Sequence, residues 1–144
     1  MHTIEMDRLN ALVLIAEDDP DDQLMLQDAF TEACPDCRLN FVSDGVELLD
    51  QLTTDTHTAR VPLPDLLLLD LNMPLKDGRQ ALHELRANPA FAGLPIVVLT
   101  TSSSDDDKNA CIAAGANDYV VKPSSFTELL HIVKTLQQYW NRHD

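Results

Sequence analysis

Residues 66–74 read Leu66-Leu67-Leu68-Leu69-Asp70-Leu71-Asn72-Met73-Pro74, an apolar run that ends on a carboxylate and then on a proline. Four consecutive leucines leave no polar side to turn toward water. A strand built from them must be covered on both faces, as in the parallel sheets of α/β proteins. Such sheets hold their chemistry beyond the carboxyl ends of the strands, and Asp70 stands at one of those ends. Leu12-Val13-Leu14-Ile15-Ala16 repeats the arrangement and leads into Glu17-Asp18-Asp19. Acidic groups placed just past two buried strands predict a single converging site.

Outward from these runs the chain alternates strand and helix. Strands are predicted at 12–16, 38–42, 65–70, 95–100 and 118–121, and helices at 21–34, 45–54, 79–87, 105–115 and 125–139. Pro20 and Pro35 bracket the first helix, whose apolar positions are Leu24, Phe30 and Cys34 with Leu26 and Ala29 alongside. Asp44-Gly45 marks the turn into the second helix, and Gly115 closes the fourth. Residues 53–64 are polar and read as a connection longer than usual between helix and strand. The whole is a doubly wound α/β fold, a five-stranded parallel sheet sandwiched by five helices and joined right-handedly.

Composition narrows the function. At 144 residues, 44% hydrophobic and 24% charged, the chain fits one folded domain over 1–144, with its core at about 11–139. A formal net charge of −14 opposes any hold on phosphate backbones, so no nucleic acid is expected. Apolar runs are too short to span a membrane, and the first residues lack the basic start of a secretory signal. The three cysteines are an odd set, which favours a reducing, cytoplasmic setting. Cys34-Pro35-Asp36-Cys37 has two-residue spacing but no second pair, and ordinary semi-buried thiols are expected there rather than redox or zinc chemistry. Only Asn141-Arg142-His143-Asp144 follow the last helix, so no output domain is expected.

The strand ends bring Glu17, Asp18, Asp70, Thr100 and Lys122 to one edge of the sheet. Crowded carboxylates raise one another's pKa unless a cation offsets them. Oxygen donors without His or Cys fit a hard ion, Mg²⁺ first and Mn²⁺ next. A lysine and a hydroxyl facing the same point suit the oxygens of a phosphoryl group, and a carboxylate can act as the nucleophile that receives it. Asp70 is that candidate, because it stands alone on its strand whereas Glu17 and Asp18 are paired. Each residue also has a plain structural reading: Asp70 as a helix cap, Lys122-Pro123 as a turn, Thr100 to Ser104 as caps. Asp105, Asp106 and Asp107 need no role beyond the favourable first turn of a helix. The weight lies in the combination.

That combination, Glu17-Asp18-Asp19-Pro20, Asp70-Leu71-Asn72-Met73-Pro74 with Asp77-Gly78, Leu99-Thr100 and Lys122-Pro123, resembles the receiver domain of two-component response regulators over residues 11–139. The resemblance implies a flavodoxin-like fold of receiver type, with Asp70 accepting a phosphoryl group from a sensor histidine kinase. It implies Mg²⁺ held by Asp18 directly, by Glu17 partly through water and by the Asn72 carbonyl. Lys122 would touch the phosphoryl oxygens through a cis bond to Pro123. Thr100 would be the switch hydroxyl, and Tyr119 the aromatic that moves inward when Thr100 engages. Thr101, where a small alanine is common, and the flanking Asn72 and Ser102 bear on water access. Leu71-Asn72-Met73-Pro74, Leu99-Thr100-Thr101-Ser102, Lys122-Pro123-Ser124-Ser125-Phe126 and Tyr139-Trp140 are most similar to the small single-domain regulators that partner bacterial phytochromes.

Three rival readings fit parts of the same residue set. An aspartate-nucleophile phosphohydrolase uses the same Asp, metal and Lys but wants a second aspartate where Asn72 stands, and a cap. A phosphate-independent scaffold would not need every key group. A flavodoxin-like cofactor binder would need donors where carboxylates stand. The resemblance makes the chain no enzyme toward external substrates. It also implies docking of the kinase through helix 21–34, with Gln23, Met25 and Gln27 on the mixed face. In the last helix Ile132, Leu136, Tyr139 and Trp140 extend apolar surface round the side, which predicts a homodimer through the fourth helix, fifth strand and fifth helix.

Overall fold

The computed structural model describes residues 11–58 and 63–140. In chain order the elements are β1 (Leu12–Ala16), α1 (Pro20–Ala33), β2 (Arg38–Val42), α2 (Gly45–Thr58), β3 (Leu66–Leu69), α3 (Gly78–Ala87), β4 (Ile96–Thr100), α4 (Asp105–Ala113), β5 (Asp118–Val121) and α5 (Phe126–Leu136), with 3₁₀ turns at Pro89–Phe91 and Gln137–Tyr139. The strands pair in parallel in the order β2-β1-β3-β4-β5. The order reverses between β1 and β3, and that is where an open α/β sheet parts to admit chemistry. No described helix is long and apolar enough to cross a membrane.

The leucine run explains the layering. Strand side chains alternate faces, so Leu67 and Leu69 enter one core with Leu48, Leu82 and Leu85, whereas Leu66 and Leu68 enter the other with Phe30 and Leu129. All four β3 leucines are 0–2% exposed. Burying each is worth roughly 1.5–3 kcal/mol, which is why the central strand tolerates no polar residue before its end. Local signals then set the helix starts. Asp19 accepts the Asp21 N–H at 2.9 Å with Pro20 in the first turn, and Asp77, Ser104 and Ser125 cap α3, α4 and α5 in the same way.

Several expectations are corrected. Helix α2 runs on to Thr58, because the polar residues after Leu52 are compatible with a helix; residues 59–62 of the expected connection lie outside the described residues. Leu24 is 59% exposed; Leu26, Ala29 and Phe30 alone form the buried stripe of α1. Cys34 and Cys37 are joined in a disulfide, since the turn at the end of α1 brings their Cα atoms to 5.5 Å. Leu136 is not surface but core, at 3% exposed, because α1 covers that side of α5. Ile132, Tyr139 and Trp140 are half-buried against the same core, so the chain itself covers much of the apolar surface assigned to a dimer. Residues 141–144, on which the absence of an output domain turned, lie outside the described residues.

One side chain ties three segments at the far end of α3. Arg86 donates to Gly115 O at 2.9 Å, Phe91 O at 2.7 Å and Asn117 Oδ1 at 3.0 Å. Gly115, at φ +113°, sits against it so closely that a Cβ there would meet Arg86 Cγ at 2.8 Å. Arg86→Ala leaves these acceptors without their charged donor and is expected to lower stability by about 2–3 kcal/mol in urea denaturation. Arg86→Lys should recover less than half, since three separate nitrogens of the planar guanidinium meet these acceptors and a single ammonium nitrogen does not reproduce that spread. A loss below about 0.5 kcal/mol for the alanine variant would contradict this reading.

Candidate functional site

Backbone hydrogen bonds carry three strands one residue past their ends. Glu17 N–H donates to Val42 O at 2.9 Å, Asp70 N–H to Ala16 O at 3.0 Å and Lys122 N–H to Thr100 O at 2.7 Å. This places Glu17, Asp70 and Lys122 on one edge by main-chain register, before any side chain is considered. Glu17 is 2% exposed and Asp70 6%, whereas Asp18 faces solvent.

The ammonium of Lys122 sits 2.6 Å from Glu17 Oε1, 2.7 Å from Asp22 Oδ2 and 3.4 Å from Asp70 Oδ2. Burial alone would pull its pKa down, but Asp22, Glu17 and Asp70 outweigh that and hold it above the ordinary lysine range. Burial pushes Glu17 up to about 7, against the pull of Lys122 and of the Asp19 N–H, which donates to Glu17 Oε2 at 3.0 Å; the charge of Asp70 pushes the same way as burial. One cation therefore faces more negative charge than it can neutralise. Oxygens of Glu17, Asp18 and Asp70 lie within 4.8 Å of one another, an all-oxygen set of the kind that suits Mg²⁺ or Mn²⁺. Asn72 flanks it, its N–H directed at Asp70 Oδ1 at 3.3 Å.

Thr100 is fully buried at the end of β4, and its hydroxyl accepts the Ser102 N–H at 3.3 Å. Tyr119 is already turned inward: it is 7% exposed, and its hydroxyl donates to Ser102 O at 2.8 Å. Ser102 Oγ donates to Asp107 Oδ2 at 2.7 Å. Arg79 grips Asp107 with two nitrogens, at 3.2 and 3.0 Å, and also holds Asp77 at 3.1 Å. The pairing holds the Asp107 carboxyl below the usual range, with Arg79 the larger cause and Ser102 the next.

The expected residues Glu17, Asp18, Asp70 and Lys122 thus converge. Thr100 and Tyr119 meet through Ser102. Sequence reading missed Asp22, Arg79 and Asp107: a carboxylate in a first helical turn already has a reason to be there, and nothing local marks its partner. The bond from Lys122 to Pro123 is trans, not cis. Trans is the default by about 0.5–1 kcal/mol, and Lys122 reaches its carboxylates from that geometry.

The raised pKa of Glu17 has a stability consequence in the metal-free chain. Folded Glu17 holds its proton more tightly than unfolded Glu17, so its contribution is full below pH about 4.5 and is lost as pH rises to about 7. The loss is on the order of 3 kcal/mol. Urea unfolding with chelator should give wild type a steeper decline over this window than Glu17→Gln, and Mg²⁺ should reverse it. Parallel curves for the two proteins would contradict the assignment.

Comparison with known proteins agrees with this arrangement. Residues 13–134 match the family described as response regulator receiver domain. Response regulator Rcp1 of Synechocystis sp. is 33% identical over 129 residues, covering 90% of this chain and 88% of its own length. The crystal structure of the phosphorylated cyanobacterial phytochrome response regulator RcpA is similar with a TM-score of 0.82 at 32% identity, covering 92% of this chain and 95% of that one. The Mn²⁺-bound form of Rcp1 is similar at 0.80 and 32%, covering 93% and 96%. With motif, register and fold in agreement over nearly its whole length, the chain belongs to the receiver-domain family of response regulators.

Proposed function

We propose that Asp70 accepts a phosphoryl group from a phosphohistidine of a sensor histidine kinase. The observation that carries this reading is a carboxylate only 6% exposed, 3.4 Å from a lysine ammonium and beside two further carboxylates at the carboxyl edge of a parallel sheet. An Asp70 oxygen attacks phosphorus, the phosphorus–nitrogen bond breaks, and an acyl phosphate forms as the imidazole departs. Asp18, Asp70 and the Asn72 carbonyl would hold Mg²⁺ or Mn²⁺, with Glu17 behind them, since its oxygens are engaged at 2.6 and 3.0 Å whereas those of Asp70 are met only at 3.4 and 3.3 Å. The cation, when bound, offsets negative charge on the transferred group. Lys122 turns from Asp22 and Glu17 to the incoming oxygens. Thr100 donates its hydroxyl proton to one of them while still accepting from Ser102. The chain catalyses its own phosphorylation and dephosphorylation only.

The partner is a phytochrome-type kinase, in the cytoplasm, a reading supported by the likeness to Rcp1 and to the phytochrome regulator RcpA. The kinase's helical domain docks on α1 and the loop after Asp70. Exposed Leu24 and Gln27 with half-buried Met25 offer the contact, whereas Gln23 is drawn inward to the Glu17 carbonyl at 2.5 Å. Output is through protein contacts, including a homodimer on the α4-β5-α5 face. There Ile112 and Val121 are each 43% exposed, and among the described residues the outer edge of β5 is unpaired.

Two measurements check this reading. Intact mass after acetyl phosphate and Mg²⁺ should gain one phosphoryl group, and Asp70→Asn should abolish it. Asp18→Asn should slow it at least about tenfold even in excess Mg²⁺. Equal labelling of Asp70→Asn and wild type would remove Asp70 from the role. Sedimentation should give a dimer strengthened by beryllofluoride and weakened by Ile112→Asp. Monomers in both states at hundreds of micromolar would refute the dimer.

A further inference from the structure

We propose that Cys34 and Cys37 form a reversible redox centre, closed and opened by exchange with small neutral or cationic disulfides and thiols. Cys34 ends α1, its N–H donating to Phe30 O at 2.7 Å, and Cys37 N–H turns back to Cys34 O at 2.9 Å before β2 begins. This backbone turn, not the sulfur bond alone, sets the 5.5 Å between the Cα atoms. The thiols therefore remain neighbours when the bond is open, and closure needs little further ordering of the chain.

The same shortness argues against a structural staple. A cross-link restrains the unfolded chain more as its loop lengthens, and this one encloses only Pro35 and Asp36. Stability already comes from two cores that sandwich the sheet. Both cysteines are half-buried and the two residues between them exposed, so a small molecule can reach the sulfurs. Cys111, at 2% exposed, lies in a different core cluster from Cys37 and takes no part. The centre lies at the end of the sheet opposite Asp70, where the neighbouring Ala33 carbonyl accepts Gln137 Nε2 at 2.9 Å and links α1 to the end of α5.

Charge selects the reagent. Glu32, Asp36 and the negative end of α1 neighbour the pair along the chain, against one adjacent cation, Arg38, in a chain of net charge −14. This net negative field repels anionic disulfides. In closure, one cysteine thiolate attacks the small disulfide, forms a mixed disulfide and expels one small thiolate. The second cysteine thiolate then attacks the protein sulfur of that mixed disulfide and releases the other. The pair gives up two electrons and two protons, and the small disulfide takes up both.

The test uses the full chain, reduced, freed of reductant and incubated with cystamine (cationic) or glutathione disulfide (anionic), then quenched with acid and alkylated. The expected product is lighter by two hydrogens, carries one alkylated thiol of the chain's three after unfolding, and is reopened by dithiothreitol. Cystamine should close the bond about tenfold faster at low salt, with the gap shrinking as salt is added. Cys34→Ser and Cys37→Ser should each stop at a mixed disulfide. Three alkylated thiols after excess cystamine, or mixed disulfides in wild type that never close, would overturn the centre; equal, salt-independent rates would overturn the charge selection.

Discussion

A single ammonium group organises the functional edge of this protein. Lys122 reaches three carboxylates, Glu17, Asp22 and Asp70, drawn from three separate segments. Without it, Asp70 and Glu17 would be buried anions facing one another, an arrangement that costs several kcal/mol. With it, the site is tolerable but unbalanced, since one positive charge answers for three carboxyl groups. That imbalance makes the site receptive to a divalent cation and leaves Lys122 free to change partners. The lysine is thus held by its carboxylates, and the proposed phosphoryl transfer would release it.

The remainder of the site reads as a route away from that edge. Thr100, Ser102, Tyr119, Asp107 and Arg79 are joined by consecutive hydrogen bonds, from the end of β4 to the start of α3. The loop between β4 and α4 is therefore gripped through a hydroxyl, a carbonyl and a side-chain carboxylate. A shift of Thr100 toward Asp70 acts on all three at once, and α4 lies at the other end. The proposed coupling between phosphorylation of Asp70 and the α4-β5-α5 face would have these bonds as its physical carrier.

The strands were legible because two-sided burial leaves uninterrupted apolar runs, and Asp70, Glu17 and Lys122 were legible because each directly follows one. Other features follow no such pattern. Lys122 pairs with Asp22 across 100 residues and Arg79 with Asp107 across 28, distances at which periodicity carries no information. The end of α2 was misplaced because polar residues such as Thr, Asp and His are compatible with a helix as well as with a loop. Leu136 was misread because α5 is apolar round more of its circumference than one core requires, and only the packing of α1 says which part is covered. The disulfide turned on the exact geometry of a helix end, which two-residue spacing alone does not specify.

The central claim is that Lys122 is a transferable counter-charge. A crystal structure of the chain with Mg²⁺ and beryllofluoride tests it most directly. The account requires the Lys122 ammonium to leave Asp22 and lie within hydrogen-bonding distance of a fluoride on Asp70. An ammonium still held by Glu17 and Asp22, with the fluorides satisfied by other groups, would contradict it.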